Sequence, residues 1–140
     1  MVSQLLDDKG RKVWSIGPDA SLFEALTLMA DKDIGALLVI EGEKPVGLIS
    51  ERDYARKVIL KGPTWKEPKV RDIMTTRVAY ARPDQRVEEC MAIVTERRQR
   101  HLPVFEQGEV VGLISIGDLV KAIMDDQQFV IEQLEDYISR

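Results

Sequence analysis

The sequence predicts a mixed α/β fold of two tandem β-α-β-β-α repeats followed by a C-terminal helix. Three observations carry this expectation. A shift of 65 residues lays 18–59 on 83–124 without a gap, with twelve identities and the run Val46-Gly47-Leu48-Ile49-Ser50 intact against Val111-Gly112-Leu113-Ile114-Ser115; such a repeat marks a duplicated unit. Within each copy, apolar residues alternate between helical spacing and short unbroken runs, the marks of helix and of buried strand. The 140 residues are 44% apolar and 31% charged. That is a globular balance, in a chain long enough to bury roughly two-thirds of its unfolded surface without a disulfide or metal staple.

The first repeat spans 1–61. Its opening, Val2-Ser-Gln-Leu-Leu6, weakly matches Val70-Arg-Asp-Ile-Met74 after a three-residue adjustment. A short strand over 13–16 runs into Pro18-Asp19, a turn and helix-start signal, and Ser21 and Glu24 have capping-box spacing. The helix that follows carries Leu22, Ala25, Leu26 and Met29 on one face. Two short strands, 36–40 and 45–49, flank the polar turn 41–44, a hairpin signal. A second helix starts near Asp53 and stops at Lys61-Gly62-Pro63, with a linker over 62–69.

The second repeat, 70–125, follows the same order: a strand over 78–81, a helix carrying Val87, Cys90, Met91 and Val94, strands over 102–105 and 110–114 around the turn 106–109, and a helix from near Asp118. Residues 126–140 form a helical extension in which Val130, Ile131, Leu134, Tyr137 and Ile138 recur at helical spacing after Phe129. That face exceeds the needs of one repeat, so it packs across the first repeat or meets a partner chain.

Composition excludes several functions. A net charge of −4 and a pI near 5.1 lack the basic footprint of nucleic-acid binding. The longest uncharged apolar run, 34–40, is far short of the ~20 residues that span a bilayer. Asp7, Asp8, Lys9 and Arg11 interrupt any apolar leader, which points to a cytoplasmic protein. One cysteine and one histidine cannot build a structural zinc site, and no metal is expected. Cys90 and His101 could be written as nucleophile and base, but Cys90 falls on the stripe Val87, Cys90, Met91, Val94 and reads as buried filler.

The segments Gly47-Leu-Ile-Ser50-Glu-Arg-Asp53 and Gly112-Leu-Ile-Ser115-Ile-Gly-Asp118 carry the chemistry. Serine with an acid three residues on can simply cap a helix. The glycine is less easily a cap, since glycine in a strand often marks close approach of a ligand or another backbone. A strand end feeding a helix N-terminus also offers free N–H groups and a field that favours an anion. A hydroxyl and a carboxylate there can grip a ribose, the aspartate accepting from two sugar hydroxyls.

The duplicated unit, Val70-Arg-Asp-Ile-Met-Thr75, His101-Leu-Pro-Val104 and both Gly-x-x-Ser-x-x-Asp segments resemble a tandem pair of CBS domains, a Bateman module. The resemblance covers nearly the whole chain. It implies two units about a pseudo-two-fold axis, an adenosine nucleotide (AMP, ADP, ATP or NAD(H)) as ligand, and a homodimer, as a stand-alone regulatory protein with a possible regulated partner. It further implies that Asp53 and Asp118 hold ribose with Ser50 and Ser115 nearby. Adenine would sit against Ile16, Ala36, Leu37 and Leu38 or against His101, Leu102 and Pro103, with Leu38 standing where the second copy has proline.

The copies differ in charge. Arg52, Arg56 and Lys57 surround Asp53, Arg52 and Arg56 sharing a helix face, whereas Gly117 and Lys121 surround Asp118. Arg97, Arg98, Arg100 and His101 stand where the first copy has Lys32, Asp33, Gly35 and Ala36. The family architecture pairs the aspartate of one repeat with strand residues of the other, so the Asp53 cleft, facing Arg100, is expected to hold phosphate. The leading reading is a non-catalytic nucleotide sensor. The alternatives are an interaction scaffold with vestigial clefts, a nucleotide hydrolase using Asp53, Arg52 and His101, and a receiver domain suggested by Asp7-Asp8, which the internal repeat argues against.

Overall fold

The computed structural model describes residues 1–59 and 67–139. The predicted helix stop at 61–63 and most of the linker, 62–66, lie outside them. The elements run α1 (Val2–Lys9), β1 (Ser15–Ile16), α2 (Leu22–Lys32), β2 (Ala36–Glu41), β3 (Lys44–Ser50), α3 (Glu51–Asp53, continuing as a π-helical turn, Tyr54–Val58), α4 (Val70–Ile73), α5 (Val87–Arg97), β4 (His101–Glu106), β5 (Glu109–Ser115) and α6 (Ile116–Ser139). No helix among the described residues is long and apolar enough to cross a membrane.

The chain divides into two compact units: one is Val13–Val78, the other is Met1–Lys12 together with Ala79–Arg140. In the unit Val13–Val78, β1 lies parallel to β2 and β2 antiparallel to β3, giving the order β1-β2-β3. The Ser21 hydroxyl accepts from Glu24 N–H at 3.0 Å and caps α2. The apolar spacing read from the sequence then puts Leu22, Ala25 and Met29 into a core with Leu37, Val39 and Ile49, completed by Val70 and Ile73 of α4.

In the composite unit, α5 buries Val87, Cys90 and Val94 against Leu102, Val104 and Ile114, and α1 completes the core with Val2, Leu5 and Leu6. Cys90 is fully buried, and burial pushes its thiol up to about 11, so it is packing rather than nucleophile.

The opening helices are equivalent down to their backbone bonds. Val70 N–H and Arg71 N–H donate to Ala20 and Pro18 carbonyls, while Val2 N–H and Ser3 N–H donate to Gln85 and Pro83 carbonyls, the acceptors related by the 65-residue shift and the donors by that shift plus the three-residue adjustment. Thus α4, which opens the second repeat in sequence, closes the core around the first repeat's hairpin, and α1 does the converse.

Both hairpins have the same register, with Ala36 opposite Ser50 and His101 opposite Ser115, and an irregularity after Val39 and after Val104. The strands reach one residue closer to the tip than the sequence predicts, leaving two-residue turns whose tips take left-handed backbone at Gly42 (φ 66°) and at Gln107 and Gly108 (φ 50° and 82°). Glycine adopts that conformation without a Cβ clash.

The predicted strand over 78–81 is reduced to a single parallel bridge, Ala81 to Val104. Pro103 is the reason: in the first copy Leu38 N–H donates to the Trp14 carbonyl, whereas Pro103, at the matching position, has no N–H to give the Ala79 carbonyl. The Gln99 side-chain amide serves that group instead, bonding both Ala79 N–H and Ala79 C=O at 2.9 Å, along with the His101 carbonyl.

Candidate functional site

Each Gly-x-x-Ser-x-x-Asp segment is the end of a hairpin strand turning directly into a helix. In the unit Val13–Val78, Ser50 is the cap of α3. Its hydroxyl accepts from Asp53 N–H at 3.2 Å, and Asp53 Oδ2 accepts from Ser50 N–H at 2.9 Å and lies 3.1 Å from Ser50 Oγ. Asp53 Oδ1 accepts from Thr75 Oγ1 at 3.2 Å and is 3.3 Å from Lys57 Nζ. An ionised carboxylate has about four acceptor directions, and those of Asp53 are filled from within its own unit.

The composite unit builds the same cap with a different cation. Ser115 N–H donates to Asp118 Oδ2 at 2.8 Å and Asp118 N–H donates to Ser115 Oγ at 3.1 Å. Lys9, from α1, forms a short ion pair with the same Oδ2 and also bonds the Leu113 carbonyl. Among the described residues Asp118 Oδ1 is left open. Burial pushes the Asp118 carboxyl up, but the hydrogen bond from Lys9, the Ser115 backbone bond and the Lys9 charge together outweigh it and hold the group below the ordinary carboxylate range.

The capping reading of the motif is therefore realised in both copies, and it uses up donors that an anion would need. Glu51 N–H donates to the Gly35 carbonyl and Ile116 N–H to the Arg100 carbonyl, so the first and third N–H groups of each helix already have partners. The motif glycines answer to protein. A Cβ on Gly47 would lie 2.7 Å from the Thr75 carbonyl oxygen, and one on Gly112 would lie 2.5 Å from Leu6 Cδ2. The close approach expected at these glycines is real, and what approaches is the opening helix segment of the other repeat.

The remaining predicted residues fall around these caps. Ile16 pairs with Val39, and Ala36, Leu37 and Leu38 are buried in β2. Leu102 and Pro103 are buried in β4 and His101 is half-buried. Arg52 is half-buried, while Arg56 and Arg100 are exposed. Sequence reasoning left out Lys9 and Thr75, and named Lys57 without assigning it a role; Thr75 belongs to the quoted 70–75 motif, but nothing in the sequence marks its hydroxyl as the Asp53 partner. Among the described residues no cluster of His, Cys, Asp or Glu could hold a metal.

Two hairpin-and-helix units closed by exchanged opening helices, each with a capped aspartate at the strand–helix junction, define a duplicated architecture. The family model described as CBS domain matches residues 6–60 and 70–125, and the chain belongs to that family. It is 33% identical over 147 residues to "CBS domain-containing protein CBSX3, mitochondrial" of Arabidopsis thaliana, covering 98% of this chain and 71% of that one. A putative signal-transduction protein with CBS domains from Burkholderia ambifaria MC40-6 is 48% identical with TM-score 0.84, over 90% of this chain and 95% of that one. The structure of CBSX2 in complex with AMP is 27% identical with TM-score 0.65, over 82% and 90%.

Proposed function

We propose that this chain is a non-catalytic regulatory module that binds an adenosine nucleotide, works as a homodimer and passes the signal to a regulated protein partner. The observation that carries the reading is the capped, lysine-paired aspartate present in both units, in the same position at a strand–helix junction. Such a carboxylate is pre-oriented, as a ribose grip must be. The half-buried Arg52 and the exposed Arg56 and Arg100 supply charge for phosphate. The AMP complex of the CBSX2 relative supports the choice of an adenine nucleotide, and NAD(H) stays within the reading as a second adenine ligand.

A thermal-shift panel of AMP, ADP, ATP, NAD and NADH against guanosine and cytidine nucleotides tests it. At a hundred times its dissociation constant a ligand adds about 2.7 kcal/mol of stability, so adenine ligands should raise Tm and the others should not. Hydrogen bonds to charged groups are worth ~1.5–3 kcal/mol. Calorimetry should therefore show Asp53→Ala and Asp118→Ala each weakening its own site about ten- to a hundredfold, and Arg52→Ala weakening phosphorylated ligands but not adenosine.

One observation favours a second reading, an interaction scaffold: the Asp53 carboxylate is already saturated by Ser50, Thr75 and Lys57. A flat response across the whole panel would overturn the nucleotide reading and favour the scaffold.

A further inference from the structure

Helix α6 runs 24 residues, yet Leu119 is its one fully buried side chain. Val120, Met124, Val130, Ile131, Leu134, Tyr137 and Ile138 are between 40% and 80% exposed. Val120, Met124, Ile131, Leu134 and Ile138, with Gln127 between them, follow alternating steps of four and three, and Val130 and Tyr137 flank that line on one side, so they form one strip along the helix. Seven large apolar side chains in a row amount to several hundred Å², at or above the roughly 300–600 Å² of the largest patch on a typical monomer and approaching the about 800 Å² each partner gives to a standard interface.

The charges beside the strip say what covers it. Val120, Gln127 and Leu134 alternate with Met124, Ile131 and Ile138 as the two seam positions of a heptad. Lys121 and Glu135 lie on one flank of that seam, and Ile123, Val130 and Tyr137 on the other. We infer that α6 pairs antiparallel with α6 of a second copy of this chain. In that register Val120 meets Ile138 of the second copy, Met124 meets Leu134 and Gln127 meets Ile131. The same register sets Lys121 against Glu135 of the second copy and, by symmetry, Glu135 against its Lys121. On the opposite flank Val130 meets itself, while Ile123 packs on the core of its own unit. A parallel pair would instead place Lys121 and Glu135 beside Ile116 and Val130, wasting both charges. The antiparallel contact is isologous and closes at two copies.

This inference rests on the homodimer reading above. It is tested by light scattering and sedimentation of the full chain at micromolar concentration, with twice 15.9 kDa expected. Leu134→Asp lies on an exposed position and leaves the core intact, so it should give a folded monomer by circular dichroism and mass. Lys121→Glu and Glu135→Lys each break two symmetric pairs and should raise the dimer dissociation constant about tenfold, given the ~0.2–1 kcal/mol of an exposed pair plus the new repulsion. The double variant should restore it. A monomeric wild type overturns both the inference and the homodimer. A Leu134→Asp chain that stays dimeric, or a double variant that is not restored, overturns the α6 pairing alone.

Discussion

Asp53 and Asp118 occupy matched positions but are neutralised by different routes. Lys57 sits one helical turn beyond Asp53, whereas Lys9 comes from a helix 109 residues away in sequence. Because the Asp118 carboxyl is held below the ordinary carboxylate range, it contributes stability at all pH values above the unfolded pKa, and that contribution is lost as pH falls through the folded pKa. Lys9→Met should remove the stabilising partner, let burial raise the Asp118 pKa, and cost about 1 kcal/mol at pH 7, the upper range for a part-exposed pair. Urea denaturation of the two proteins should show that gap closing below pH 4, as Asp118 protonates in both. A gap that persists at pH 2.5 would mean that the lysine acts through its alkyl packing. The serine–aspartate pair was legible from spacing alone, since a capping interaction depends on residues three apart. Its cation was not, because Lys9 and Thr75 reach the carboxylates only through tertiary placement.

At the scale of elements, the hairpins were the most legible part of the fold, since each needs only a Gly-containing turn between apolar runs and the gapless repeat shows the pattern twice. The 78–81 segment reads as a strand too, and what shortens it lies outside its own residues: Pro103 on the facing strand has no N–H for the Ala79 carbonyl, which Gln99 bonds instead. The two motif glycines show a similar limit, because a close approach was readable and its nature was not. Gly47 faces the Thr75 carbonyl, which accepts from Leu48 N–H, so Gly47→Ala must break or bend that bond and should cost about 1–3 kcal/mol, as overpacking does. Gly112 faces the end of the Leu6 side chain, which a smaller residue vacates. Gly112→Ala combined with Leu6→Ala should therefore cost at least 1 kcal/mol less than the two singles added together. Gly47→Ala with Met74→Ala should show little such coupling, because Met74 removes no backbone oxygen. Chemical denaturation of the single and double variants checks both cycles.

For the whole molecule, the repeat as sequence and the unit as folded body are different partitions of the chain. The duplication was plain because 18–59 and 83–124 align without a gap, yet the alignment fades in the opening segments that the units exchange. Val2, Leu5 and Leu6 announce an apolar face and carry no information about which core it enters. The consequence is a fragment experiment. Residues 13–78 contain every member of one buried cluster, including Val70 and Ile73. Residues 1–66 contain the same strands with α2 and α3 but lack α4 and its two core side chains, and carry α1, whose core lies in the other unit. Full burial of an aliphatic side chain is worth about 1.5–3 kcal/mol, so losing two removes on the order of 3–6 kcal/mol. A domain near 65 residues has only about 3–10 kcal/mol in total. The 13–78 fragment should therefore unfold cooperatively in urea, and the 1–66 fragment should lack a cooperative transition. Were 1–66 to prove the more stable fragment, the exchange of opening helices would not be what holds these cores together.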